Sequence, residues 1–364
     1  MLYAIALSQL KGVGLSTAKK LLELTEGDAK ALFITDVKEF NLSNVHFKKI
    51  LSRKSKDEAL YLAEQELNFI HKNDITPLYF KNKDYPSRLI ECKGAPIILY
   101  QKGKTNLNPL RAISIVGTRQ PSQQGIDTTK MLVKEIARSF PDTLIVSGLA
   151  YGIDITAHKA ALFHHLPTVA VLGHGMQMLY PAIHRSIAKR IINEQGALVT
   201  QYSSKTKVVP QNFIERNTIV ATIADATLVV ESKEKGGAMA TAYLANSYNR
   251  DVLTVPGSIY SENSKGCNAL IKKQIAALIE NVDDIAYALG WEAKGKPIQQ
   301  NLLFDLSIVE QKITSLLQQK GKMSLDAICS ELQTSTSELL PVITQLEFKD
   351  LILAHPGKFY SLKK

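Results

Sequence analysis

The spacing of hydrophobic positions divides the chain into regions of different periodicity. Over residues 1–75, Leu7, Leu10, Leu15, Ala18, Leu21 and Leu22 fall at helical spacing on both sides of the turn Gly12-Val13-Gly14. A second helical run continues through Leu60, Leu62, Ala63, Leu67 and Ile70. NDITPLYFKNKDYPSRL then breaks the pattern at Pro77 and Pro86, and APIILYQKG reads as a strand entering a second unit. From 78 to 290 the pattern becomes short apolar runs at 112–117, 143–148, 168–173, 197–201, 226–232 and 252–257. Helical stretches such as 129–140 and 240–248 separate most of them. Near-continuous Val/Ile/Leu runs with helical crossovers predict an α/β domain, its strands buried on both faces of a doubly wound, mostly parallel sheet. Residues 291–304 are polar, contain Gly295 and Pro297, and read as a linker. Residues 305–364 show three helical patterns and then a hairpin turning at Pro356-Gly357, which is the winged-helix outline. Ser324 and Ser335 or Thr336 stand where helix N-caps belong.

Composition narrows the class. The 364 residues carry 44 Lys+Arg against 34 Asp+Glu, a formal charge of +10. Residues 1–110 hold 17 basic and 12 acidic groups, 111–304 hold 20 and 15, and 305–364 hold 7 of each. The excess therefore lies outside the winged-helix segment, and it suits either a polyanionic partner or plain solubility. Cys92, Cys267 and Cys329 are too dispersed for a disulfide framework, and no CxxC pair starts a zinc site. The N-terminus lacks a signal-peptide pattern, and no apolar run approaches the ~18 residues of a membrane span. A soluble, cytoplasmic protein with no metal and no membrane contact is expected.

In a parallel sheet the strand C-termini converge on one edge, where ligands bind. Glycine gathers there: VGTRQPSQQG, SGLAYGID, LGHG, ESKEKGG and VPGS each follow a predicted strand. Such loops bring backbone N–H groups close to an anion, although βα turns also favour glycine for their own geometry. The candidate binding set from these loops is Gly117, Thr118, Arg119, Ser122, Gly125, Ser147, Gly148, Gly152, Gly173, Gly175, Gly236 and Gly237. Arg185 and Lys189, four apart on one helix face, and Asn212, Arg216 and Asn217 near another helix start complete it. No P-loop exists: GWEAKGKP has Pro297 where the magnesium-binding hydroxyl belongs. Gly173-His174-Gly175 lacks the third glycine of a dinucleotide fingerprint, so no cofactor is expected. Hydrolytic readings are weak as well: His158 fits helix packing better than a base, Asp154 fits an N-cap, and Ser147-Gly148 is no nucleophile elbow. No catalytic residue is assigned. The Lys11-Gly12-Val13-Gly14 turn has a helix–hairpin–helix look that serves DNA phosphates or protein interaction equally.

The order of these motifs resembles the DNA processing protein A family of bacteria (DprA, also called Smf). VGTRQPSQQG (116–125), SGLAYGIDITAH (147–158), AVLGHGMQMLYP (170–181), FIERNTIVATIADATLVVES (213–232), GGAMATAYLANSYNRDVLTVPG (236–257) and GCNALI (266–271) carry the likeness. The resemblance implies a Rossmann-like, non-enzymatic domain flanked by a helix–hairpin–helix or SAM-like N-terminal domain and a winged helix. It implies a homodimer that binds and protects incoming single-stranded DNA and helps load the RecA recombinase during natural transformation. It also implies DNA contacts from Arg119 and from Arg185 or Lys189, and it aligns the family's RN pair with Arg216-Asn217. Gln177, His184, Gly236 and the stretch TQYSSKTK depart from the family pattern, on loops of the expected pocket. A rival reading is a nucleotide-cleaving phosphoribohydrolase, whose glycine-rich loop and nearby Glu the segment Gly236–Thr241 and Glu231 partly match. A third is an interaction scaffold with merely solubilising charge.

Overall fold

The computed structural model describes residues 1–40, 45–292, 306–349, 351–355 and 358–362. The chain forms two compact units, Met1–Lys294 and Gly295–Lys364. Most of the expected linker and the Pro356-Gly357 turn lie outside the described residues.

In the first unit, strands β1 (Ile75–Tyr79), β2 (Ile98–Gly103), β3 (Ala112–Val116), β4 (Leu144–Ser147), β5 (Thr168–Val171), β6 (Ala197–Thr200), β7 (Ala226–Val229), β8 (Asp251–Thr254) and β9 (Ala277–Leu278) form one sheet. Its order is β1-β2-β6-β5-β4-β3-β7-β8-β9. The strands from β6 to β9 run parallel, and β2 lies antiparallel to both β6 and β1. β3 to β7 are buried at every position, which is why their sequences are apolar without alternation.

Helices cover both faces. Leu132, Val133 and Ile136 of helix Gln123–Ser139, with Ile153 and Ala157 of helix Ile153–Phe163, fill one core. Ile219 and Val220 of helix Pro210–Thr222, with Ala242 and Ala245 of helix Gly237–Ser247, belong to the other, which runs on into the N-terminal helices. The 20-residue helix Arg53–Lys72 carries Ala59, Ala63 and Ile70 in that same core. The sequence around Pro77 therefore does not end the sheet. Pro77 has no N–H to give, and β1 tolerates it because it is an edge strand paired only with β2, with Pro77 opposite Tyr100.

The second unit has helices Ile308–Lys320, Leu325–Leu332 and Thr336–Phe348, with β10 (Met323–Ser324), β11 (Ile352–His355) and β12 (Phe359–Leu362) in the order β10-β12-β11. This is the expected winged-helix arrangement. Ser307 and Ser335 close capping boxes with Glu310 and Glu338, and Ser324 caps through Ala327 N–H.

Candidate nucleic-acid interface

Strand order locates the site. The chain adds β4, β5 and β6 to one side of β3 and then returns to place β7 on the other side, so the topology switches between β3 and β7. Loops leaving the two strands there diverge and open a crevice at the strand C-termini. A cleft of about 650 Å³ occupies that position. Gly117, Thr118 and Arg119 enter it from β3, Gly148 and Asp154 from β4, and Lys233, Lys235, Gly236 and Gly237 from β7. Phe213, Ile214, Arg216 and Asn217 reach it from helix Pro210–Thr222, and Tyr180 from the loop after β5.

The floor holds two buried, oppositely charged side chains, Arg216 and Asp154, each bonded to backbone. Arg216 lies in mid-helix rather than near a helix start, and only 4% of its surface is exposed. Its Nη1 donates to Gly148 O at 2.6 Å and also to Val171 O, tying together the ends of β4 and β5. Asp154 lies beside it. The expected N-cap role falls instead to Gly152, and the Asp154 carboxylate accepts from Gly148 N–H at 3.1 Å and Ala150 N–H at 3.4 Å. Burial pushes the Asp154 carboxyl up and the Arg216 guanidinium down from their ordinary values, while their mutual attraction opposes both shifts. With Nη1 spent on carbonyls, Arg216 supplies fixed positive charge beneath the cleft. Arg119, Lys233 and Lys235 are exposed and supply mobile charge at its mouth.

The glycines fall into two groups. A Cβ on Gly148 would sit against the Arg216 guanidinium and 2.7 Å from Asp154 Oδ2. One on Gly117 would lie 2.7 Å from Ile153 Cβ, one on Gly125 3.0 Å from Glu231 Cδ, and one on Gly173 2.7 Å from Phe213 Cδ1. Gly152 at φ +79° crosses the Thr118-Arg119 backbone, and Gly175 crosses Ser203 and Ser204. These residues are glycine because protein packs against them. Gly236 and Gly237 are different, since Gly237 has nothing within 4 Å of a Cβ and Gly236 nothing nearer than 3.4 Å. They open helix Gly237–Ser247, which has no side-chain cap, so its first amides and positive dipole end face the cleft.

The remaining candidates take other places. Ser122 caps helix Gln123–Ser139 by accepting from Gly125 N–H, and its own N–H donates to Glu231 Oε2 at 2.8 Å. Ser147 Oγ donates to Ile115 O, and Asn212 Nδ2 to Lys207 O, both inside the protein. Arg185 and Lys189 stand exposed on helix Arg185–Asn193, outside the cleft wall. His158 is buried, with Nδ1 at 2.8 Å from Thr168 Oγ1, consistent with a packing role.

Sequence reasoning left Tyr180, Phe213, Lys233 and Lys235 out of the candidate set. The rings of Tyr180 and Phe213 lie 5.7 Å apart, and the Arg216 guanidinium lies 5.8 Å from the Phe213 centroid. The available signals were the Lys-Glu-Lys before Gly236 and the aromatic residue in each flanking motif. The wall nearest Phe213 is braced from the N-terminal helices, where the buried Glu66 carboxylate accepts from Ser204 N–H at 2.9 Å and Ser204 Oγ at 2.7 Å. Ser204 O in turn accepts from Gln177 N–H, and Thr206 O from Gly175 N–H. Among the described residues no cluster of metal-ligating side chains occurs, and no helix is long and apolar enough to cross a membrane.

Known proteins are similar to this chain in sequence and in architecture. Residues 76–290 match the family model of DNA recombination-mediator protein A, and 299–358 match the DprA winged helix domain. Protein Smf of Synechocystis is 34% identical over 278 residues, covering 74% of this chain and 68% of its own length. The X-ray structure of DNA processing protein A from Streptococcus pneumoniae superimposes with a TM-score of 0.65 at 26% identity, over 79% of this chain and 98% of that one. DNA processing protein A from Helicobacter pylori, described for its single-stranded DNA binding mode, superimposes with a TM-score of 0.54 at 25% identity, over 60% of this chain and 97% of that one.

Proposed function

The chain belongs to the DprA (Smf) family of DNA recombination mediators, and from that premise we propose that it binds single-stranded DNA in the switch-point cleft. The observation that carries the reading is the cleft itself. It combines a capless helix N-terminus at Gly236-Gly237, the exposed cations Arg119, Lys233 and Lys235, and the Tyr180–Phe213 ring pair. Amides and cations suit phosphates, and aromatic faces suit unstacked bases. A duplex hides its bases, and a concave cleft offers no helix or ribbon to enter a major groove. The single-strand binding mode described for the Helicobacter pylori relative supports the same choice.

In the same reading the protein works as a homodimer, protects the strand and helps load RecA on it during natural transformation. The winged helix, with no net charge, serves contact with another protein. The phosphoribohydrolase alternative is disfavoured by Glu231, whose carboxylate is engaged by Ser122 N–H and does not line the cleft.

Competition of a labelled oligothymidylate by unlabelled single strand and by blunt duplex, followed by fluorescence anisotropy, tests the reading. Single strand is expected to compete at least roughly tenfold better at physiological salt. Arg119→Ala should weaken binding by about 1–3 kcal/mol without altering thermal unfolding, since Arg119 is exposed. Equal competition by duplex, or full affinity in Arg119→Ala, would defeat the cleft as the site.

A further inference from the structure

The loop after β8 leaves the same sheet edge as the cleft, on the side away from Arg185 and Lys189. Its tip shows Ile259 at 74% and Tyr260 at 91% exposure. Single exposed apolar residues are ordinary on protein surfaces, so exposure alone means little. What sets this tip apart is how it is held. Asn268 accepts from Gly257 N–H at 3.2 Å and donates to Gly257 O at 2.9 Å, clamping the base of the loop. Ser258 closes the turn by accepting from Tyr260 N–H at its Oγ and from Ser261 N–H at its carbonyl. Asn263 Nδ2 then donates to Gln120 O at 3.2 Å, fastening the loop to the residue next to Arg119. Every one of these bonds uses backbone or a neighbouring polar side chain, and among the described residues the Tyr260 ring stacks on no other ring.

Distance and charge point the same way. β8 lies two strands from β3, so its loop starts about 10 Å from the one carrying Arg119. The loop carrying Lys233 and Lys235 lies between them, and Gly266 N–H donates to Ser232 O within it. A polyanion seated in the cleft and leaving toward β8 would cross those lysines and meet the Tyr260 ring. We infer that Tyr260 is a stacking subsite for a base of the single strand, outside the cleft and downstream of Lys233 and Lys235. The inference rests on the proposed single-strand binding. A loop whose backbone is already held loses less conformational freedom when its aromatic side chain stacks, and aromatic platforms hold bases without reading sequence.

The test uses the full chain and oligothymidylates carrying one 2-aminopurine, moved along the strand position by position. The parent protein should show a quenching position separate from the positions that Arg119→Ala disturbs. Tyr260→Ala should abolish it and weaken a long oligonucleotide by on the order of tenfold. Tyr260→Trp should retain both, and an oligonucleotide too short to leave the cleft should bind Tyr260→Ala as tightly as the parent. Parent-like quenching and affinity in Tyr260→Ala, with Arg119→Ala still impaired, would overturn the subsite alone. A parent that binds no single strand would overturn the cleft reading and the subsite with it. A changed sedimentation coefficient for Tyr260→Ala with unchanged DNA affinity would assign the ring to a protein contact and equally overturn the inference.

Discussion

His158 should make the first unit sensitive to acid, and the structure says by how much. The side chain is fully buried. Thr168 Oγ1 donates its one hydrogen to Ile145 O at 2.8 Å, so it can only accept from His158 Nδ1. The proton of the neutral ring is thereby placed on Nδ1, and Nε2 is left buried with no partner. Protonating Nε2 would create a cation with no acceptor, and His184 and Arg216 would repel it. Burial first, then those two neighbours, push the His158 pKa down to about 3 from its ordinary 6.5. An unfolded chain takes up this proton below pH 6.5 and the folded chain does not. Stability therefore is fully present above pH 6.5 and is lost as pH falls toward 3, at about 1.36 kcal/mol per unit. Between pH 7.5 and 5.0 the loss from this one residue comes to about 2 kcal/mol. Urea unfolding at the two pH values measures it, with the fluorescence of Trp291 as probe. That residue is the only tryptophan, and it packs on Phe140 with ring centroids 5.3 Å apart, so it reports the first unit. Other groups titrate in the same range, so His158→Asn supplies the reference. The Asn amide keeps a donor for Thr168 and cannot titrate. The variant should be less stable at pH 7.5 yet lose about 2 kcal/mol less than the parent on going to pH 5.0. An equal loss in parent and variant would refute the assignment of a neutral, partnerless Nε2.

Three further outcomes follow from packing and from charge. Gly148→Ala should destabilise the first unit by about 1–3 kcal/mol, because its Cβ meets the Arg216 guanidinium and Asp154; Gly237→Ala, with open space around it, should unfold within about 0.5 kcal/mol of the parent while binding single strand more weakly. Removing residues 305–364 should leave single-strand affinity within a few-fold and the salt slope unchanged, since that segment has 7 basic and 7 acidic residues; a tenfold loss from a folded remainder would locate a DNA contact in the winged helix.

The sequence by itself determined the parallel core. β3 to β8 coincide with apolar runs visible in the chain, because a strand covered on both faces has no room for polar alternation. The winged-helix caps at Ser324 and Ser335 were equally legible, since a cap is a local hydrogen bond between residues three apart. β1 was not, because Pro77 is tolerable only at a sheet edge, and edge position is a property of strand order. β9, two exposed residues long, carries no pattern at all.

Within the site, local sequence marked Arg119 and the glycine loops but not what each glycine is for. Gly125 and Gly173 make way for Glu231 and Phe213, residues 106 and 40 positions further on, whereas Gly237 faces the open cleft. The same holds for charge. Arg216 and Arg119 look alike in the chain, yet the face of helix Pro210–Thr222 that packs on the sheet buries one, and a strand-end loop exposes the other. Tertiary structure alone decided these matters. Ligand access, the burial of charge and steric necessity depend on which distant segments the order β4-β3-β7 brings side by side, and no local spacing encodes that adjacency.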